Sequence, residues 1–160
     1  MLEFFLDIIV TLPLNKTNFM KEIHSYWAYL VLLILIFAVV NAIIGLTQKK
    51  QFTNKDLRIG LFTLIVTHIQ LLIGLAWYFM SPWYKGLKSN ASEVMADKAT
   101  RLLAVEHPIT MIFAIVLITI GWSKHKKKTT DAGKFKMFVI FYGLGLFLIL
   151  SRIPWNNWFS

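Results

Sequence analysis

Residues 26–46 carry the sequence YWAYLVLLILIFAVVNAIIGL, an apolar run that is interrupted by one strongly polar side chain, Asn41. A helix that crosses the hydrocarbon core of a membrane needs roughly 20 predominantly apolar residues. The run therefore predicts a membrane-spanning helix. Asn41, like Gln70 in the next apolar run, is predicted to form a hydrogen bond to a neighbouring helix.

Three more runs of this kind follow, at residues 59–80, 102–122 and 137–153. The composition agrees with them, because hydrophobic residues make up 57% of the 160-residue chain and charged residues only 16%, against about 25% charged in a soluble domain. The sequence thus predicts an all-α, integral membrane four-helix bundle that forms one domain over residues 1–160. The absence of cysteine excludes disulfides, zinc–thiolate sites, iron–sulfur clusters and c-type haem attachment.

The basic residues predict the orientation of the chain in the membrane, because cytoplasmic loops carry an excess of Lys and Arg. Ten basic residues fall in the loops that follow the first and third spans: Lys49, Lys50, Lys55, Arg58, Lys124, Lys126, Lys127, Lys128, Lys134 and Lys136. The other side carries seven, namely Lys16, Lys21, Lys85, Lys88, Lys98, Arg101 and Arg152, which are diluted by acidic residues. Both termini and the loop 81–101 are therefore predicted to lie outside.

The first 20 residues differ from a signal peptide, because their start is acidic rather than basic. Glu3 and Asp7 are four residues apart and share one helical face, while apolar side chains cover the rest. Residues 1–20 are therefore predicted to hold a short helix that lies in the membrane interface and stops at Pro13.

Three histidines lie in or near the predicted spans, where ionisable side chains are costly and hence indicate function. His24 precedes the first span, His68 lies inside the second, and His107 lies near the start of the third. The simpler role for each is a hydrogen bond between helices or contact with water. The fourth, His125, lies in a lysine-rich loop and is predicted to be solvated.

The neighbours of these histidines favour an apolar slot. Residues at helical spacing from His68 are leucines, whereas those from His107 are small or soft, among them Met111 and Ala114. An apolar slot among four helices, with imidazoles that point into it, suits a flat macrocycle. Haem b is the predicted cofactor, held by axial ligands and packing alone.

Depth along the helices predicts which histidines pair. At a rise of about 1.5 Å per residue from the predicted outer ends, the depths of His68 and His107 differ by ~10 Å. If Trp77 rather than Met80 marks the interface, the difference falls to ~6 Å, which a tilted haem could bridge. They are the predicted metal ligands, with His24 and His107 as the second choice. Met80 or Met111 could replace one histidine.

Pro108 bears on where the third span begins. A helix that started at Pro108 would be too short to cross the membrane. The span is therefore predicted to begin near Thr100, with a kink at Pro108 that frees the carbonyl of Ala104.

Two arginines near the predicted outer surface complete the candidate binding residues. Arg101 and Arg152 are predicted to bind the haem propionates, because guanidinium groups bind carboxylates bidentately. The alternative is that both simply extend to the water interface.

Four segments resemble a family of small bacterial four-helix membrane proteins described as cytochrome b-like (cytochrome b561-like). They are HSYWAY at 24–29, FTLIVTHIQLLIG at 62–74, VEHP at 105–108 and GWSK at 121–124. The resemblance spans residues 22–154 and leaves out the first 20. It implies haem binding by His24, His68 and His107, electron transfer, and a place in the bacterial inner membrane.

The leading hypothesis is therefore a b-type cytochrome that transfers electrons within or across the bilayer, with a membrane or periplasmic redox partner and with quinone as a candidate donor or acceptor. A haem-free structural or assembly subunit of a larger membrane complex is the alternative. A proton relay through His68, His107 and Glu106 ranks last, because no further ionisable group continues toward the cytoplasmic side of those helices. The lysine loops favour anionic lipid over nucleic acid.

Overall fold

The computed structural model describes the backbone of residues 2–158 and the side chains of residues 18–156. All regular elements in this part are helical, so the all-α fold is confirmed. In chain order they are α1 (Leu2–Thr47), α2 (Asn54–Met80), α3 (Pro82–Ser89), α4 (Ala91–Ala96), α5 (Lys98–Arg101), a π-helix (Leu102–Glu106), α6 (His107–His125), α7 (Asp131–Arg152) and α8 (Trp155–Trp158).

Four stretches are long and apolar enough to cross a membrane: Asn18–Thr47, Asn54–Met80, Lys98–His125 and Asp131–Arg152. The third of these, called the third span below, joins α5, the π-helix and α6 end to end. The first and third extend beyond the predicted windows at both ends and the second at its start, because polar residues continue a helix past the hydrocarbon core. The prediction of four spanning helices is confirmed.

The four spans form a closed ring. α1 packs against α2 and α7, and α6 completes the ring by packing against the same two helices. Leu35, Ile118 and Tyr142 are fully buried where the helices meet. The Tyr142 hydroxyl also donates a hydrogen bond of 2.9 Å to the carbonyl of Gly60, which ties α7 to α2 across the ring.

The two ends of this bundle differ in chemistry. One end, called the lysine end, carries the short loops 48–53 and 126–130. The opposite end carries α3 and α4, which join α2 to the third span and are called the connector.

The third span begins within two residues of the predicted start at Thr100. Asp97 caps its first turn by accepting hydrogen bonds from the N–H and hydroxyl of Thr100, and these bonds hold the pKa of the Asp97 carboxyl below its usual value. Directly ahead of His107 and Pro108, the span departs from α-helical geometry and forms the π-helix Leu102–Glu106. The Tyr78 hydroxyl donates a 2.8 Å hydrogen bond to the carbonyl of Ala104, which is the carbonyl that the sequence predicted to be free.

The predicted helix end at Pro13 is wrong, because α1 runs without a break from Leu2 to Thr47. A proline removes one backbone hydrogen bond and bends a helix, but it does not have to end it. The predicted interfacial character of residues 1–20 depends on side chains that lie mostly outside the described residues.

The two half-buried amides bond between helices, as predicted. Asn41 of α1 donates a 2.8 Å hydrogen bond to Asp56, which also caps the start of α2 through Thr53. Gln70 of α2 donates a 2.9 Å hydrogen bond to the backbone carbonyl of His24 in α1. Both bonds therefore fix α2 against α1.

The prediction that His125 is solvated is wrong. Its side chain is only 2% exposed and packs against the rings of Phe52, Trp122 and Phe138. His125 ends α6, and its ring leans back so that Nδ1 bonds to the carbonyl of Trp122. The residue therefore closes the lysine end of the bundle, with Phe52 supplied by the preceding loop.

Candidate functional site

A cavity of about 340 Å³ opens among α1, α2, the third span and the end of α7, toward the connector end of the bundle. His24, His107 and Met111 line it, together with apolar and aromatic side chains. A mainly apolar cavity with a few convergent polar groups is the usual form of a ligand site.

His24 lies within the described stretch of the first span, two residues before the predicted start at residue 26. Its ring stacks on Trp77 of α2 with the ring centres 5.6 Å apart. It also lies against Gly74, where an added Cβ would come within 2.9 Å of the His24 Cε1 atom. The glycine therefore makes the room that the imidazole occupies.

The Nδ1 atom of His24 is buried and has no hydrogen-bond partner among the described residues. Gln70 lines the same cavity, and its Oε1 atom is also buried without a hydrogen-bond partner among the described residues. Buried polar atoms are usually paired, and an unpaired one needs an explanation, such as a missing ligand or water. Both orphaned atoms belong to residues of this cavity.

His107 has a defined hydrogen bond on one side of its ring. Its Nδ1 atom lies 2.9 Å from the backbone carbonyl of Arg152 at the end of α7. A carbonyl only accepts hydrogen bonds, so Nδ1 carries the proton and Nε2 keeps a lone pair when the ring is neutral. Metal-binding histidines commonly donate their other N–H to a carbonyl or carboxylate in this way.

The structure brings His24 and His107 together. Their ring centres are 6.2 Å apart and the ring planes are nearly perpendicular, at 84°. A bond from imidazole to a metal ion is about 2 Å long and the ring centre lies about 1 Å behind the nitrogen, so two histidines on opposite sides of one metal have ring centres about 6 Å apart. The separation of the ring centres leaves room for one iron, so His24 and His107 are the residues that would hold a haem at this cavity.

His68, the preferred partner of His107 in the sequence analysis, lies elsewhere. Its Nδ1 atom donates a 2.7 Å hydrogen bond to the carbonyl of Leu64, and its Nε2 atom lies 3.3 Å from the hydroxyl of Thr119. Thr67, Gln70 and the residues that follow at helical spacing line the cavity, whereas His68 does not. His68 is about 100° around α2 from Thr67, and this rotation turns it toward α6.

Arg101 and Arg152 share one carboxylate. Glu106 Oε1 lies 2.9 Å from Arg101 Nε, and Glu106 Oε2 lies 3.3 Å from Arg152 Nε. Arg101 also donates a hydrogen bond to the carbonyl of Met95 in the connector. Both predicted propionate partners are therefore already paired with Glu106, a residue that was not predicted to belong to the site. Its position between Arg101 and His107 in the sequence could have indicated it.

Within the described residues, no group of three or more His, Cys, Asp or Glu side chains is arranged to hold a metal ion. Two histidines are enough for a haem iron, because the porphyrin supplies the remaining ligands. The two imidazoles at the cavity are therefore enough to serve as the protein's ligands to a haem iron.

Comparison of the chain with models of known protein families, with curated proteins and with solved structures finds no match.

Proposed function

We propose that this protein is a b-type cytochrome of the membrane, which binds haem b between His24 and His107 and passes electrons through it. The observation that carries the proposal is the pair of imidazoles from two different spans, 6.2 Å apart at an apolar cavity. Because no comparison bears on the resemblance to cytochrome b-like proteins, the proposal depends on this geometry.

In this proposal each residue of the cavity has a defined task. His24 and His107 hold the iron, and the carbonyl of Arg152 keeps the lone pair of His107 Nε2 available. Gly74 leaves space for the His24 ring, and Met111, one turn after His107, forms part of the wall. Haem would supply reversible one-electron transfer at its iron.

The surroundings of the pair suit such a cofactor. Apolar walls hold a macrocycle by packing, which is needed because the chain has no cysteine for a covalent link. Lys21 is a cation that lines the cavity and is therefore a candidate partner for a propionate. Arg101 and Arg152 can contribute only in competition with Glu106, to which both are bound.

The competing function is a haem-free structural subunit of a membrane complex. It is favoured by the contacts that the imidazoles make without any ligand, since His24 stacks on Trp77 and His107 bonds to α7. In that case the two rings are parts of the helix packing.

An absorption spectrum of the full chain, purified in detergent after expression with haem supplied, separates the two functions. We expect a Soret band and, after reduction with dithionite, a sharp α band that indicates a six-coordinate low-spin iron. A protein that carries no haem under these conditions, although it is folded, would leave only the structural role.

We further propose that the chain lies in a bacterial inner membrane with its lysine end in the cytoplasm. The ten-to-seven distribution of basic residues supports this orientation. The connector and the His24–His107 pair then lie toward the outer face, where a quinone in the membrane or a periplasmic redox protein could exchange electrons.

Cysteine labelling tests this orientation, because the native chain has no cysteine to interfere. Thr129→Cys in a loop of the lysine end should be protected from an impermeant thiol reagent in intact cells. Ser89→Cys in the connector should be labelled, and both should react once the cells are opened. Labelling of the Thr129 variant in intact cells would reverse the orientation.

A further inference from the structure

We infer that Glu106 is a positioning residue for His107 and that it acts through Arg152 at the end of α7. The Glu106 carboxylate pairs with arginines and not with the imidazole itself, because Glu106 and His107 are neighbours on the helix and point about 100° apart. The consequence for electron transfer depends on the proposed function, whereas the effect on the imidazole does not.

Arg152 is the last residue of α7, and the carbonyls of a last helical turn have no partner within the helix. Its own carbonyl is the acceptor for His107 Nδ1, at 2.9 Å. The direction of that carbonyl therefore decides where the His107 ring points and which nitrogen keeps the proton.

The Arg152 side chain is held at two points. Its Nε atom pairs with Glu106 at 3.3 Å, and its Nη1 atom donates a 2.9 Å hydrogen bond to the carbonyl of Ser151. Helix ends fray unless something fastens them. The Glu106–Arg152 ion pair thus holds the last turn of α7 against the third span. It acts on Arg152, the residue whose carbonyl accepts the hydrogen bond from His107.

Glu106 is itself well placed for this task. It ends the π-helix, directly before His107, and its other oxygen pairs with Arg101 at 2.9 Å. The carboxylate therefore has a fixed position between two guanidinium groups from separate parts of the bundle. Such a bridge gives His107 a fixed acceptor while the imidazole keeps its Nε2 lone pair for a ligand.

Glu106→Gln tests the inference in the haem-free full chain, because it keeps the size of the side chain and removes the charge. Nitrogen-15 NMR of the histidine rings reports the tautomer of His107 and the exchange rate of its Nδ1 proton with water. We expect one Nδ1-protonated form in the native chain. In the variant we expect exchange about tenfold faster, the change that 1.4 kcal/mol of lost stabilisation produces.

Two further variants separate positioning from a general loss of charge. Arg152→Gln should have the same effect on His107 as Glu106→Gln, because both substitutions remove the same Glu106–Arg152 ion pair. For the same reason, the Nδ1 proton of His107 should exchange no faster in the double variant than in either single variant. Glu93→Gln, which removes a carboxylate that accepts a hydrogen bond from Asn90, the residue that caps α4, should leave the His107 signals unchanged. Native His107 signals in Glu106→Gln would overturn the inference.

A second measurement uses the haem-loaded protein. Loss of the negative charge near His107 should favour the reduced iron, shifting the reduction equilibrium by about threefold to tenfold in Glu106→Gln and not in Glu93→Gln. If the native chain binds no haem, the proposed function fails, and the NMR result still decides the role of Glu106.

Discussion

Replacement of either His24 or His107 by alanine is expected to abolish the low-spin haem spectrum, with a loss of haem affinity of at least about 100-fold. Each substitution removes one of two imidazoles whose ring centres lie 6.2 Å apart, and the single histidine that remains leaves the iron without its second nitrogen ligand. Titration of the purified variants with haem, followed by the Soret and α bands, gives the affinity. Far-ultraviolet circular dichroism checks that the helices are intact.

His68→Ala is the matched control, because it removes an imidazole from a neighbouring position of the same bundle. It should keep the low-spin spectrum, since His68 bonds to Leu64 and Thr119 and does not line the cavity. Loss of haem in His68→Ala together with retention in His24→Ala would contradict the proposal and would favour the His68–His107 pair that the sequence predicts.

Gly145→Val is expected to lower the free energy of unfolding by about 1–3 kcal/mol, the usual cost of overfilling a packed core. A Cβ at Gly145 would lie 2.8 Å from Ile118 Cγ1 and 3.2 Å from the backbone oxygen of Ala114. The backbone cannot yield cheaply, so α6 and α7 would have to separate. Close approach at small residues is a main source of stability between membrane helices. Unfolding in mixed micelles, followed by circular dichroism, measures the change.

Gly143→Val is the control for this prediction. It makes the same chemical change two residues earlier in α7, at a position where an added Cβ meets nothing within 4 Å. Any effect of helix propensity is therefore common to both variants, and the difference between them reports the packing at Gly145. Equal losses of stability would show that the α6–α7 contact at Gly145 tolerates a larger side chain.

The membrane-spanning helices were predictable from the sequence because the bilayer imposes a local rule. A run such as residues 26–46 has to form its backbone hydrogen bonds within itself, whatever its neighbours do. The interhelical bonds of Asn41 and Gln70 followed from the same cost of an unpaired polar group. The free carbonyl of Ala104 followed from the fixed geometry of Pro108, although its partner, Tyr78, did not.

The pairing of His107 with His24 could not be predicted from the sequence, and the reason is physical. The rotation and depth of each helix are set by packing against its neighbours, and an error of one residue turns a side chain by about 100°. Such a rotation turns His68 toward Thr119, while α1 continues as a helix ahead of residue 26 and brings His24 against Gly74 and Trp77 of α2.

The sequence by itself determined the class of fold and the four spans, since these depend on hydropathy along short segments of the chain. Only the tertiary structure decided the contents of the site, because its parts are distant in the chain. The carbonyl that orients His107 belongs to Arg152, and the burial of His125 depends on Phe52 and Phe138. Contacts of this kind arise when separate helices pack, so no local pattern records them.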